Sequence, residues 1–403
     1  MTSIKLASRI QRARESLTVA FSARAKAMSA EGRDVISLAA GEPDFDTPAD
    51  IREAAHQAIH AGHTHYTQVE GIPELREAIC RKFSRDNALA YEPSQVTVST
   101  GGKQVIFNAL MATLEPGDEV IIQAPYWVSY PDIVLLFGGE PVIVQTAAAD
   151  GFLMTPGQLE QAITPRTRWI ILNSPSNPTG AMYRAGDFSA LGEVLRRHPD
   201  VWIMTDDIYE TIVYDRETFV SFAQAVPDLF DRTLTVNGLS KSHAMTGWRI
   251  GYGAGDATLI RAMNKIQGQS TLHPCSIAQW AAVEALTGSR DSFRPMVESF
   301  AKRRDATLAA VDAIEGLQCF VPSGAFYLFI SIARQLEMKS AGGAVLGTDH
   351  DWVMALLEEE GVALVPGSAF GTGGYCRLSF AAADGELAEA CRRIARFSDG
   401  LRS

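Results

Sequence analysis

The sequence predicts an α/β protein: a large domain built on a mostly parallel seven-stranded sheet covered by helices, plus a smaller α+β domain. Three observations point there. Seven short apolar runs, rich in β-branched residues and bounded by turn residues, recur between residues 95 and 253; such near-continuous runs mark strands buried on both faces. Helix-like segments lie between several of them, as parallel strands require. The last third is richer in long helical segments and offers three more strand candidates.

In chain order, "TPADIREAAHQAIHAG" (47–62) sets Pro48 near a helix start, places Ile51, Ala54, Ala55, Ala58 and Ile59 on one face, and stops at Gly62. "GIPELREAICRKF" (71–83) repeats the spacing with Leu75, Ala78, Ile79 and Phe83. The seven strands are then "QVTVST", "DEVIIQAP", "EPVIVQ", "RWIILN", "VWIMTDD", "TLTVNG" and "WRIGYG", with helices expected over Lys103 to Leu114 and Phe188 to Arg197. "FYLFIS", "VALVPG" and "CRLSFA" are the strands of the smaller lobe, which the N-terminal helix joins. We place the large domain at 48–285 and the small one at 1–47 with 286–403.

Composition bounds the function. The chain has 403 residues, 46% apolar and 21% charged, enough for a substantial core. A net charge of −11 argues against a nucleic-acid surface while leaving room for a local basic pocket. The five cysteines are scattered, with neither a C-x-x-C pair nor metal spacing, and read as reduced cytosolic thiols. His63, His65, His243 and His273 read as structural, and no metal is expected. The start reads as a plain helix rather than a secretory signal, and no run of eighteen residues is predominantly apolar, so no membrane span is expected.

Ligand sites in parallel sheets gather beyond the carboxyl ends of strands, and the unusual residues of this chain sit there. "STGGKQ", "APYWVSY", "NSPSNPTG" and "TDDIYE" each follow a strand, and "GLSKSHAMTGWRIGYG" follows another. Gly101 and Gly102 open a helix, where free amides and the helix dipole suit an anion, although capping explains a glycine pair as well. Neither a P-loop nor G-x-G-x-x-G is present, which removes the nicotinamide dehydrogenases. Asp206 fits a helix cap or a buried anion that keeps a ring nitrogen protonated. Tyr209 fits a donor to a phenolate oxygen, and Asn177 either orients an oxygen or closes its turn. Lys241 and Arg249 are the only charged residues in their glycine-rich stretch. A desolvated lysine beside another cation has a lowered pKa and becomes a nucleophile able to form a Schiff base, and Arg249 is then a fork for a phosphate.

"SKSHAMTGWRIGYG" resembles the pyridoxal-phosphate lysine signature of class I aminotransferases, members of the fold-type I superfamily. The resemblance extends through "AAGEPDFDTP", "HYTQVEGIPELREAI", "STGGKQ", "APYWVSYP", "NSPSNPTG", "TDDIYE", "PSGAFY" and "RLSFA", and looks most like the bacterial aspartate and prephenate aminotransferase subgroup. It implies pyridoxal 5'-phosphate as cofactor. Lys241 would carry the Schiff base and the 1,3-proton transfer, and Asp206 would pair with the pyridinium nitrogen. Asn177 and Tyr209 would hold the phenolic oxygen, and Trp127 would stack on the ring. Arg249 and the Gly101–Gly102 amides would hold the phosphate, with Tyr66 reaching across a homodimer to the neighbouring phosphate. Arg377 would grip the substrate α-carboxylate, helped by Asn177 and the backbone of Gly41. One departure is Gly238, where the family often has a hydroxyl residue as a phosphate ligand.

The resemblance further implies a cytoplasmic enzyme that moves the amino group of L-aspartate to 2-oxoglutarate by ping-pong kinetics, with prephenate or aromatic keto acids as further substrates. Lys103, beside the glycine pair, would meet the distal carboxylate, and Arg14 and Thr18 align with positions that close over the substrate. A solvated helix face explains Arg9, Arg12 and Arg14 equally. The alternatives are an aromatic or alanine-type aminotransferase, a β-lyase with the same cofactor, and a non-catalytic sensor. The acidic chain and the intact residue set disfavour the sensor.

Overall fold

The computed structural model describes residues 4–14, 17–289 and 293–402. All seven expected strands form one sheet: β2 (Val96–Thr100), β3 (Glu119–Ala124), β4 (Glu140–Gln145), β5 (Thr167–Asn173), β6 (Trp202–Asp206), β7 (Thr233–Gly238) and β8 (Ile250–Ala254). They are preceded in the chain by β1 (Ile36–Ser37). The sheet order is β2-β8-β7-β6-β5-β3-β4, with β7 through β4 parallel and β8 antiparallel to both neighbours.

Alternation along the strands explains the unbroken apolar runs. Val120 and Ile122 of β3, Trp169 and Ile171 of β5 and Met204 of β6 enter one core with Ile106 and Leu110. Ile121, Ile170, Leu172 and Ile203 enter a second core on the opposite face, with Leu191 and Leu195. Each run buries both of its faces, so apolar residues predominate on both, and polar ones such as Ser99, Gln123 and Thr205 are buried with them.

The helices named from sequence all appear, with ends that differ from the expected ones by up to four residues. The chain opens with α1 (Ser8–Arg12) and α2 (Leu17–Ala30), followed by α3 (Ala49–His60), α4 (Pro73–Asn87) and α5 (Gly102–Thr113). A helix spans Ala185–Arg196. The expected single N-terminal helix is thus two pieces; α1 is exposed, with Arg12 paired to Glu140 at 2.7 Å. The inner side of α2 buries Phe21, Ala25 and Met28.

The C-terminal third adds β9 (Gln318–Cys319), β10 (Tyr327–Ser331), β11 (Val362–Ala363), β12 (Val365–Pro366) and β13 (Tyr375–Ser379). "VALVPG", read as one strand, is two. β11 pairs in parallel with β1, whereas β12 pairs with β13 in the four-stranded sheet β12-β13-β10-β9. Pro366 has no N–H to extend a ladder, so β12 ends there. One core gathers Phe21, Ile36 and Leu38 with Phe300, Trp352, Leu378 and Ile394, so residues of the N-terminal segment pack with the C-terminal third.

All five cysteines are free. Among the described residues no helix is long and apolar enough to cross a membrane, and no three His, Cys, Asp or Glu side chains are grouped to hold a metal. His63 stacks on Trp280, His273 meets the ring edge of Tyr66, and His243 is buried against Ser242.

Candidate active site

A cavity of about 610 Å³ opens at the carboxyl edge of the large sheet. It collects Gly41, Gly102, Lys103, Trp127, Asn177, Asp206, Tyr209, Lys241, Arg249, Arg377 and Thr18 of the expected residues. Arg249 precedes β8, at the strand's amino end; because β8 runs antiparallel, that end lies at the same edge as the loops after the parallel strands.

The cradle at α5 is shaped by absent side chains. Gly101 caps the helix at φ 85° with no side-chain cap, leaving the first amides of α5 without one. A Cβ on Gly101 would lie 2.3 Å from Arg249 Nη2, and one on Gly251 would lie 2.1 Å from the Gly102 nitrogen. Glycine at both places lets the guanidinium approach the helix mouth, and together they form an anion site. Gly238 has no room for the hydroxyl side chain of the family pattern, since a Cβ would lie 3.0 Å from the Ile250 carbonyl. A nearby hydroxyl that does line the cavity is Ser240.

Lys241 lies at the cavity wall, enclosed by protein on its other sides, and its Nζ donates to the Gly41 carbonyl. Burial, helped by Arg249 and Arg377 and opposed by the carboxylates of Glu42 and Asp206, lowers its pKa to about 8. Asp206 ends β6 and is buried. Its Oδ2 accepts from Tyr130 Oη at 2.6 Å, and its carbonyl accepts from Asn173 Nδ2 at 2.8 Å. Burial pushes its carboxyl up to about 6, with the Tyr130 hydrogen bond acting in the opposite direction. The side chain does not cap a helix; it faces the cavity.

Arg377 is 2% exposed. Its Nη1 donates to Asn177 Oδ1 at 2.9 Å, its Nη2 to the Ala39 carbonyl at 2.6 Å, and its Nε has no partner. The guanidinium lies 4.5 Å from the Tyr327 ring centroid, and Tyr327 Oη meets Tyr209 Oη at 2.8 Å. Among the described residues no carboxylate pairs with it. A buried arginine lacking a counter-ion is a receptor for an anion from solution.

Lys103 Nζ sits 4.9 Å from the Trp127 ring centroid, and burial followed by Arg249 lowers its pKa. Three expected residues lie outside the cavity. Tyr66 is 87% exposed, and Arg14 is exposed, its backbone N–H donating to Asp132 Oδ1 at 3.0 Å. Gly101 stands behind Arg249 rather than on the wall. The sequence reading missed Tyr130, Asn173, Glu42 and Tyr327, and the α2 side chains Ser22 and Lys26 that line the mouth with Thr18. The spacing of 18, 22 and 26 puts them on one helix face, but an ordinary solvated face has the same pattern.

An amine that loses its proton near pH 8, walled by groups that hold anions, is equipped for nucleophilic transfer chemistry on small anionic molecules, and that is the class of enzyme this fold carries. Similarity to known proteins narrows the class. The chain belongs to the class I and II aminotransferase family, whose model, "Aminotransferase class I and II", matches residues 33–394. It is 56% identical over 396 residues to the aspartate/prephenate aminotransferase of Cereibacter sphaeroides, covering 98% of this chain and 99% of that one. It resembles the crystal structure of the Rhizobium meliloti aspartate aminotransferase with a TM-score of 0.96 at 53% identity, over 99% of this chain and 100% of that one. It also resembles the Thermus thermophilus aspartate aminotransferase with maleate, TM-score 0.91 at 42% identity, over 98% and 100% of the two chains.

Proposed function

We propose that the chain is a pyridoxal 5'-phosphate-dependent aspartate aminotransferase that passes the amino group of L-aspartate to 2-oxoglutarate and also accepts prephenate. The observation that carries the reading is Arg377, a buried cation that meets no carboxylate among the described residues, lining the same cavity as an amine of lowered basicity. The relatives' names supply aspartate and prephenate, and 2-oxoglutarate is the acceptor that the family resemblance implies.

The residues fit the cofactor. Arg249 and the uncapped amides of α5, brought together where any Cβ would intrude, suit its phosphate. Asp206, its second oxygen held by Tyr130, suits the ring nitrogen, Tyr209 and Asn177 suit the phenolic oxygen, and Trp127 suits the ring face. When bound, the cofactor supplies an electron sink for the charge left at the substrate Cα. Asp206 keeps the ring nitrogen protonated, and burial among apolar groups strengthens that pairing. Lys241 Nζ would take the proton from the substrate Cα and hold it for return during the transfer. Arg377 fixes the α-carboxylate in two-point contact, supported by Asn177 and the Gly41 segment, so that the Cα–H faces the lysine. Lys103 meets the distal carboxylate, and Thr18, with Arg14 from beyond the rim, covers the mouth.

The same reading proposes a cytoplasmic homodimer in which the exposed Tyr66 of each copy completes the other's phosphate site. It also proposes two lobes, 48–285 and 1–47 with 286–403, closing over the substrate.

The test is the visible spectrum of the cofactor-loaded protein. L-Aspartate should bleach the long-wavelength band, and either 2-oxoglutarate or prephenate should restore it. Recovery with 2-oxoglutarate alone removes prephenate from the proposal, and a protein with no band contradicts the role of Lys241. Replacing Lys103 with Ser should lower kcat/KM for aspartate by about 10- to 100-fold, the scale of one charged hydrogen bond, and leave alanine nearly unchanged. Equal losses for both amino acids would remove Lys103 from the distal site.

A further inference from the structure

Behind the turn that carries Asp206 and Tyr209 lies a closed polar triangle with no assigned role. Lys82 Nζ pairs with Glu210 Oε1 and donates to Asn87 Oδ1 at 2.7 Å, while Asn87 Nδ2 donates to Glu210 Oε2 at 3.0 Å. The side chains of Lys82 and Glu210 are 4% and 8% exposed. Two of the three residues come from α4 and the third from the turn after β6, so the triangle joins the turn to a helix more than a hundred residues away.

The turn divides its side chains between two sides. Asp206 and Tyr209 line the large cavity; Asp207 and Glu210 do not. Asp207 Oδ2 accepts from Ser221 Oγ at 2.7 Å, and Glu210 enters the triangle. Lys82 and Glu210 also line a second cavity of about 30 Å³ together with Leu239, Ser242 and His243, the residues flanking Lys241. The turn after β6 and the segment that carries Lys241 therefore share one back wall, which the triangle supplies with its ion pair. Around Glu210 the titratable groups are Lys82, Asp207, Arg85, Asp86, His243 and Tyr252. Burial is the main reason Asp207 has its pKa pushed up to about 8; two ion pairs line this wall, Lys82 with Glu210 inside the triangle and Arg85 with Asp86 beside it.

A buried ion pair is a weak source of stability compared with well-packed apolar side chains, so its presence beside a site points to specification of geometry. We infer that Lys82, Asn87 and Glu210 are positioning residues for the cofactor-facing turn: they fix the Asp206 carboxylate and the Tyr209 hydroxyl against the cofactor ring and so set the ring's proton affinity. The inference rests on the proposed roles of Asp206 and Tyr209.

The decisive variant is the double replacement Lys82→Met with Glu210→Gln, which removes both charges and strands neither. Its thermal unfolding, its affinity for pyridoxal 5'-phosphate and the pH midpoint of the visible band are measured beside the parent protein. The double variant should unfold cooperatively, bind the cofactor about tenfold more weakly, and titrate about half a pH unit or more from the parent. A folded double variant with unchanged affinity and midpoint overturns the inference and leaves the triangle a purely structural brace. Should the double variant not fold, Lys82→Arg keeps the charge and changes the reach; an unchanged midpoint in that protein overturns the inference equally. A parent protein without a visible band contradicts the cofactor reading instead, so the two failures are told apart.

Discussion

Replacing Lys241 with Met should lower turnover by about 10⁴-fold or more while making the cofactor-free protein more stable at pH 7 by roughly 3 kcal/mol. The first effect follows from removing the only group proposed to move the Cα proton. The second follows from the cost of holding an ammonium in this pocket. Unfolded, the amine has its ordinary pKa of 10.5, whereas in the fold burial brings it to about 8. Below about pH 8 the amine is charged in both states, and the folded protein bears the full desolvation cost. Between about 8 and 10.5 the unfolded chain holds more protons than the folded one, so stability rises with pH until the cost is gone. Denaturant titrations of the cofactor-free proteins at pH 7 and pH 10 check this. The Met variant should lead at pH 7 and lose most of its lead by pH 10. A Met variant less stable than the parent at pH 7 contradicts the desolvation argument.

Asp206→Asn should keep the cofactor bound but lower kcat by about 10²- to 10³-fold, the scale of one preorganised charge at a developing centre. Asn preserves the shape and an oxygen for Tyr130 Oη, so the change isolates the charge proposed to meet the ring nitrogen. Single-turnover bleaching with L-aspartate measures it without product release, and a variant that bleaches at the parental rate removes Asp206 from the mechanism. The carboxylate also costs stability. Burial raises its folded pKa from 3.8 to about 6, so the folded cofactor-free protein holds more protons than the unfolded chain in that window. Its stability therefore falls as pH rises from about 4 to 6, and the Asn variant should lack that component.

Much of the site was legible because parallel strands bury both faces and their polar punctuation falls where the chain leaves the sheet. Asp206, Asn177 and Lys241 stand out as polar residues directly after apolar runs. The direction of β8 was not legible, because antiparallel pairing leaves no mark on a five-residue run; yet that direction carries Arg249 to the common edge. Tyr130 and Tyr327 look like core aromatics in sequence, and only their partners, Asp206 and Tyr209, distinguish them. "VALVPG" reads as one strand because its alternation is continuous; its division depends on which segments reach it. Arg14, read from its place beside Thr18, lies outside the cavity, where its backbone N–H meets Asp132, whereas Thr18 of α2 lines the wall.

The pairing of β1 with β11, and of the Ala39 carbonyl with Arg377 across 338 residues, has a consequence for biosynthesis. A ribosome delivers residues 36–41 early and their partners among the last made. Strands β2 to β8 can assemble while translation continues, since every neighbour they need lies between residues 96 and 254. The early segment must wait with its hydrogen-bonding edge unfilled, in the condition that invites misassembly or capture by a chaperone. The nascent enzyme therefore has a floor long before it has a roof, and a chain halted before residue 362 presents Lys241 to solvent without the arginine that would select its substrate.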